Sequence, residues 1–337
     1  MIGVTYHDDL KEVQGDAVLA ALLRAPVADA PFDRLEWWQG LEVHCAISPL
    51  IAVASTGPYR AVLPLRRVGR RIEALANWYT FRNRPIFSAG ADQQALLAAL
   101  AADLAKQAPH IELTRVSEEL GEASALATAF KATGWLVYQA ACDINHVLPL
   151  AGRSYAEYLA SRPGAVRTTL KRKAGKVTVQ IETAFNPASW AAYEAIYAHS
   201  WKPEEGAPAF LRAFAEAEGR AGRLRLGLAF ADDVPVAAQF WTVEGGTAFI
   251  HKLAHTQESR SLSPGTTLSA ALFEHVIDQD KVALVDFGTG DNPYKRDWMD
   301  AVRPRYKLTM LRRGSPGNWP LIARLWLRTL AGGRRDD

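Results

Sequence analysis

Apolar and polar positions along the chain alternate with two periods, and the changes of period divide it into elements. IAVAS (51–55) and YRAVLPLRRV (59–68) read as strands around a Gly57-Pro58 turn, and RRIEALAN continues as a third, giving a meander of adjacent antiparallel strands. Residues 92–107 are Ala/Leu-rich at helical spacing, HIELTRV (110–116) is a strand, 118–133 a helix and WLVYQAACDINHVLPL (135–150) a long strand. A second series begins near Ala151 with a short helix at 154–160 and a helix at 163–176 that has Pro163 in its first turn and Gly175 near its end. VTVQIETAF alternates as a strand, and NPASWAAYEAIYAHSWK places Trp190, Tyr193, Ile196 and Tyr197 on one helical face.

After a helix near 209–219, RLRLGLAFA, VPVAAQFWTV and TAFIHKLAHT read as three strands in a row, separated by Asp232-Asp233 and Gly245-Gly246 turns. A helix at 264–279, the strand ALVDFG, a short helix YKRDWM and the strand YKLTMLRR complete the series. The expected fold class is α+β with mixed sheets. Domains are expected at 1–150 and 151–315, with an amphipathic C-terminal helix and tail at 316–337.

Size and charge narrow this picture only a little. The 337 residues, 49% hydrophobic and 22% charged, suffice for two packed domains of ordinary soluble composition. A net charge of +3 makes no bulk electrostatic case for nucleic acid. Two cysteines, Cys45 and Cys142, exclude a disulfide framework or a Cys-rich metal site, and both are expected to be buried thiols. The N-terminus carries acids where a secretion signal needs a basic start, and no apolar run reaches the ~18 residues of a spanning helix. A cytoplasmic protein is expected, with peripheral contact to the inner membrane through its C-terminal helix.

Several stretches carry candidate chemistry. Trp37 and Trp38 either line a pocket or anchor a helix in the core. The loop NWYTFRNR (77–84) gathers aromatics and guanidinium groups outside any regular period, which makes Trp78, Tyr79 and Arg82 candidate substrate contacts. Arg167, Lys171, Arg172, Lys173 and Lys176 form the most basic stretch, either a solvated face or a contact for a phosphate-bearing ligand or an anionic membrane. Its lack of interleaved aromatics argues against nucleic acid.

The segment 246–298 is the densest in junctions. The helix at 264–279 opens on Pro264-Gly265-Thr266-Thr267 behind Arg260 and Ser263. Free N–H groups, a glycine, hydroxyls and an arginine there would cradle a pyrophosphate, the alternative being a plain capped helix. His251 and His255 on a regular strand share a face about 13 Å apart at ~3.3 Å per residue, too far for one zinc, so no metal is expected.

The order of these elements, with a phosphate-cradling loop between the third hairpin strand and the next helix, resembles the GNAT acyltransferase fold. The resemblance implies coenzyme A, its pyrophosphate held by Arg260, Ser263, Gly265, Thr266 and Thr267, and its pantetheine arm held where two strands part. VDFGTGDNPYKRDWM (285–299) resembles the D-F-G-x-G-D-x-P-Y-K-x-x-W signature of GNAT-like proteins assigned to cellulose and exopolysaccharide biosynthesis, which are related to the Fem aminoacyltransferases. This implies tandem GNAT-like domains and acyl-CoA-dependent N-acyl transfer without a metal. In that chemistry Asp286 or Asp291 could take a proton from an attacking ammonium while Lys295 stabilises an oxyanion; alternatively Asp291 and Lys295 form an i,i+4 ion pair. His251, bordering the expected donor cleft, is a further candidate base or a hydrogen-bonded structural residue, and Lys252 and Tyr294 are candidate substrate contacts.

On a helical wheel Trp319, Ile322, Leu325, Trp326 and Leu330 cluster opposite Arg324 and Arg328, with Arg334 and Arg335 beyond. Such a face suits a membrane interface or packs on the domain. FGTGDNPYKRDWMDAVRPR with WTVEGGTAFIHKLAHT is similar to the GNAT-type proteins proposed as bacterial ceramide synthases, which implies a sphingoid-base amine as acceptor. An amino sugar of exopolysaccharide synthesis is the enzymatic alternative, and a non-catalytic binding module the non-enzymatic one.

Overall fold

The computed structural model describes residues 1–24 and 27–332, with side chains described to 327. In chain order the elements are β1 (Gly3–His7), α1 (Leu10–Gly15), α2 (Ala17–Leu22), α3 (Leu35–Cys45), β2 (Leu50–Thr56), β3 (Tyr59–Val68), β4 (Arg71–Ala74), β5 (Ile86–Phe87), α4 (Gln93–Gln107), β6 (His110–Val116), α5 (Glu122–Ala132) and β7 (Leu136–Pro149). They continue as α6 (Tyr155–Ala160), α7 (Gly164–Lys173), β8 (Thr178–Glu182), α8 (Pro187–Ala198), α9 (Pro208–Arg220), β9 (Leu224–Ala231), β10 (Val234–Glu244), β11 (Thr247–His255), α10 (Pro264–Glu274), β12 (Leu284–Thr289), α11 (Pro293–Trp298), β13 (Ala301–Leu311) and α12 (Trp319–Gly332). The chain forms two compact units, one of residues 1–28, 32–144 and 303–337, the other of residues 29–31 and 145–302.

In the first unit the sheet runs β1-β2-β3-β4-β6-β13, with β5 on β3. The β2–β3–β4 meander is antiparallel, as its turn residues require, and β4 pairs β6 in parallel. Helix α4 is started by the Asp92 carboxylate, which accepts from Ala95 N at 3.1 Å, and it buries Leu96, Leu97, Leu100 and Leu104 along one stripe. These join Ile111 and Leu113 of β6, Phe130 of α5 and Leu308 and Met310 of β13 in one core. The final strand thus pairs with β6, far from its neighbours in sequence; chain order alone assigns it to the 151–315 series.

Trp37 and Trp38 are core anchors of α3, with Trp38 Nε1 donating to Phe32 O at 3.0 Å. The loop at 77–84 is largely taken up by the unit's interior. Tyr79 and Phe81 are buried, and Arg82 and Arg84 converge on the buried carboxylate of Asp33 at 2.8 and 3.0 Å. The expected burial of both thiols does not hold. Cys142 is exposed because residues 139–142 of β7 are uncovered on both faces of the strand, and Cys45 is half-buried beside Asn77.

In the second unit β12, β11, β10, β9 and β8 follow the end of β7 in that order. The β7–β12, β10–β11, β9–β10 and β8–β9 pairs are antiparallel, and β11–β12 is parallel. Adjacent residues of β10 show the two faces: Phe240 meets Trp190 of α8 and Phe214 of α9 edge-on, whereas Trp241 meets Phe273 of α10. The aromatic stripe of α8 is buried as its spacing predicts, at Trp190, Tyr193, Ile196 and Tyr197. Gly227 of β9 makes room for α10, since a Cβ there would lie 2.9 Å from both Leu268 and Leu272.

Candidate active site

Strands β11 and β12 pair only at Thr247–Leu284, Ala248–Val285 and Phe249–Asp286, and each then runs on, β11 to His255 and β12 to Thr289. Where they part, the register of β11 on β10 slips. Ile250 lies opposite Trp241 and Lys252 opposite Phe240, leaving His251 as an extra, bulged residue. The bulge brings His251 and Lys252 to one face. His251 stacks on Phe240 at 5.1 Å, meets Phe214 edge-on and shares a 2.8 Å hydrogen bond with Thr242 Oγ1. The face expected to be shared with His255 is lost, because His255 lies opposite Ala237, three positions from Phe240 on an alternating strand. His255 instead packs against Trp201, ring centres 4.4 Å apart and tilted by 41°.

The turn after β12 is held from inside. Asp286 is buried at 5% exposure, and its Oδ1 accepts from Asn145 Nδ2 at 3.0 Å and from Gly288 N at 2.8 Å. Gly288 and Gly290 adopt φ of 67° and 95°, which glycine tolerates without strain. The turn carbonyls of Gly288 and Thr289 accept from Lys295 Nζ, and this ammonium also lies 5.3 Å from the Phe287 ring centre. The i,i+4 pairing of Asp291 with Lys295 is not what forms. Asp291 pairs with Arg296, because Lys295 turns inward to the carbonyls while Arg296 lies exposed beside the carboxylate. Hydrogen bonds from Arg296 hold the Asp291 carboxyl below the usual carboxylate range. Buried His146 approaches it from β7 at 3.3 Å, its imidazole pushed down by burial and then by the Lys295 charge.

The start of α10 offers fewer backbone donors than its sequence suggests. Pro264 has none, and the N–H groups of Thr266 and Thr267 bond back to Ser263 O. Among the described residues the Gly265 N–H has no acceptor, and the buried Thr267 hydroxyl has no partner. Side chains add to this. Lys173, at the end of basic helix α7, reaches Ser261 O at 2.8 Å and Ser263 Oγ at 3.1 Å, and Arg260 is exposed on the same loop. Under the helix, Gln239 donates to Ser269 Oγ at 2.7 Å and Gly265 O at 3.2 Å, and Ser269 meets Tyr294 OH at 2.8 Å. Burial pushes that phenol up to about 12, so Tyr294 is fixed as a neutral hydroxyl.

Between α8 and α9 lies a cavity of about 370 Å³ walled by Trp190, Tyr193, Tyr197, Pro208 and Leu211, with Glu194, Glu204, Glu205 and Lys202 on its lining. Lys252 of the β11 bulge pairs with Glu205 of that lining at 2.8 Å and lies 5.2 Å from the Tyr197 ring. Burial pushes the Lys202 ammonium down to about 8, with the charges of Lys252 and Lys295 acting in the same sense. Glu205 is not legible in the sequence because its partner Lys252 comes from a strand some fifty residues on, and Lys202 because the helical reading of NPASWAAYEAIYAHSWK runs past Ala198, where the helix ends. Of the other candidates, Trp78, Tyr79 and Arg82 belong to the first unit, where Trp78 alone is exposed. Among the described residues no group of three or more His, Cys, Asp or Glu side chains could hold a metal ion.

Residues 164–296 match the family described as an acetyltransferase (GNAT) domain. No curated protein sequence matches the chain. Among solved structures it is similar to FemX, at 12% identity and a TM-score of 0.61, covering 91% of this chain and 96% of that one. A conserved protein of unknown function from Bacteroides thetaiotaomicron VPI-5482 has 12% identity and a TM-score of 0.59, covering 92% and 100%. A tandem GNAT protein from the clavulanic acid biosynthesis pathway has 15% identity and a TM-score of 0.53, covering 91% and 98%. The fold is tandem GNAT-like.

Proposed function

We propose that the second unit transfers an acyl group from a coenzyme A thioester to a primary amine, and that the amine belongs to a sphingoid base. The observation that carries the reading is the parting of β11 from β12 after Phe249, with the start of α10 beyond the end of β11. An extended thioester arm laid in that opening can run along β11 beyond its last pair with β12 as an added strand would. The donor phosphates would meet the Gly265 N–H, Lys173 and Arg260, so one amide and two cations replace a full row of amides. Asp286 is spent on the turn, and Asp291 on Arg296 and His146, so neither carboxylate is the natural base. Lys295, anchored by two carbonyls, supplies fixed positive charge where β12 leaves the sheet.

The cavity beside the bulge suits the acceptor. Its aromatic and aliphatic walls favour a long apolar chain, and Glu194 and Glu204 favour a cationic amine. The exposed side chains of Trp319, Trp326 and Leu327 on α12, with exposed Arg324 across the helix from the two tryptophans, support a substrate drawn from a membrane surface. Leu330 of the apolar face, Arg328 opposite it, and Arg334 and Arg335 beyond lie outside the residues whose side chains are described. Among the described residues no helix is long and apolar enough to cross a membrane.

The test is incubation of the protein with acetyl- or palmitoyl-CoA and with sphinganine or glucosamine, following thiol release and acylated product by mass spectrometry. Palmitoyl-sphinganine as the main product is expected. Turnover confined to glucosamine would move the acceptor to amino sugars, and no turnover with any pair together with no coenzyme A binding would reject the transferase.

A further inference from the structure

Any transfer of an acyl group to an amine that arrives as an ammonium needs a proton acceptor, and the acidic side chains of the turn are engaged elsewhere. The cavity between α8 and α9 carries an amine placed for that task. Lys202 lines it, with its Nζ 6.0 Å from the Tyr197 ring centre and 5.8 Å from that of Trp201. Glu205, a carboxylate of the same lining, is engaged by Lys252 at 2.8 Å. Among the described residues Lys202 Nζ has no ion-pair partner, although Lys252 of β11, Glu205 of its own loop and Lys295 of α11 all act on it electrostatically. Glu194 and Glu204 also line the cavity, and Tyr197 of α8 is held neutral, its phenol pushed up to about 12 by burial. Glu205 of the lining links the cavity to β11 through Lys252, three residues past the last β11–β12 pair.

Resting on the N-acyl transfer reading above, we infer that Lys202 is the proton acceptor of the reaction, its neutral amine receiving the proton that the acceptor's ammonium loses before attack. The acceptor nitrogen then carries two hydrogens and a lone pair. It bonds to the thioester carbonyl carbon, and the C–S bond breaks as the tetrahedral intermediate collapses. The nitrogen's second proton leaves with the thiolate as a thiol, and one hydrogen stays on the amide. Lys202 returns its proton to solvent. A cation close to two aromatic rings, without an ion-pair partner among the described residues and subject to the charges of two further lysines, is poised to be neutral in a useful fraction of molecules near neutral pH.

Two measurements test this. Competitive acylation of wild-type protein across pH, read by mass spectrometry at Lys202, should show the amine titrating near 8. In parallel, kcat/KM for palmitoyl-CoA and sphinganine should rise through that pH. Lys202→Arg keeps the charge and the aromatic contacts but cannot act as a base near neutral pH. It should lower kcat by roughly a hundredfold to ten-thousandfold and erase that limb without moving the unfolding midpoint. Lys202→Met should lose the same limb, which guards against a packing effect peculiar to arginine. Labelling with an ordinary lysine midpoint, or a limb that survives in both variants, overturns the inference and leaves the transferase standing. Absence of turnover by the wild type with every donor and acceptor rejects the transferase reading itself, and the role of Lys202 with it.

Discussion

Asn145 Nδ2 and Asp286 Oδ1 meet at 3.0 Å inside the second unit, and the same oxygen accepts from Gly288 N at 2.8 Å. One carboxylate oxygen thus ties β7 to β12 and fixes the turn whose carbonyls hold Lys295. Asp286→Ala leaves two donors without their acceptor. The expected loss is about 3–6 kcal/mol, from two charge-assisted bonds of about 1.5–3 kcal/mol each. Urea unfolding measures it, and a change below about 0.5 kcal/mol, the range of ordinary surface substitutions, would show that the turn does not depend on this residue.

For Lys295, removal of the ammonium while keeping the stem separates charge from packing. Lys295→Met should lower kcat by about tenfold to a thousandfold with the KM of both substrates little changed, as expected of a charge felt chiefly in the transition state. Steady-state kinetics beside thermal unfolding decide the matter. A normal kcat in a less stable variant would leave Lys295 only as the clasp of the turn.

Lys173 and Arg260 are assigned to the donor alone. Alanine at either position should raise the KM for palmitoyl-CoA roughly three- to tenfold, the effect of a solvent-exposed charge contact of about 1 kcal/mol, and leave the KM for the amine unchanged. Added salt should shrink the difference. Kinetics at two ionic strengths check this, and an effect on the amine instead would dismiss the phosphate role.

Asp300 gives the second unit a pH dependence with a definite sign. Burial works to raise its carboxyl, but hydrogen bonds from Arg153 and buried Arg162 outweigh it and hold the group below its ordinary range. A depressed folded value means that this stabilisation is complete above about pH 4, the unfolded carboxylate range, and is lost as pH falls through the folded value. Asp300→Asn should flatten stability against pH in that acidic window and cost on the order of 1–3 kcal/mol at neutral pH, where Arg162 loses its counter-charge. Denaturant midpoints measured between pH 3 and 7 test both halves.

What could be read in advance followed from periodicity. The stripe Trp190, Tyr193, Ile196, Tyr197 announces the buried face of α8, and the run of hairpin strands before 264 announces β9 to β11. The turn after β12 was visible as a cluster of charges, but the partner of each charge was not. Lys295 bonds to main-chain carbonyls, which no residue pattern reports, and Asp291 prefers Arg296 at i+5. β1, α1 and α2 lie in the opening residues, whose acids speak against a targeting segment but do not mark these short elements. The cavity was hidden for a different reason, since its charged lining joins an irregular loop to a strand far along the chain.

The slip between β10 and β11 makes His251 a spare residue in the arithmetic of the sheet. Ile250 keeps Trp241 and Lys252 keeps Phe240 with or without it. Deleting His251 therefore leaves every side chain before and after it on its own face, whereas deleting Leu253 or Ala254 inverts the remainder of the strand. The position is one where the chain can gain or lose a residue while the fold stays in frame, and where chemistry can be added to a finished sheet one side chain at a time.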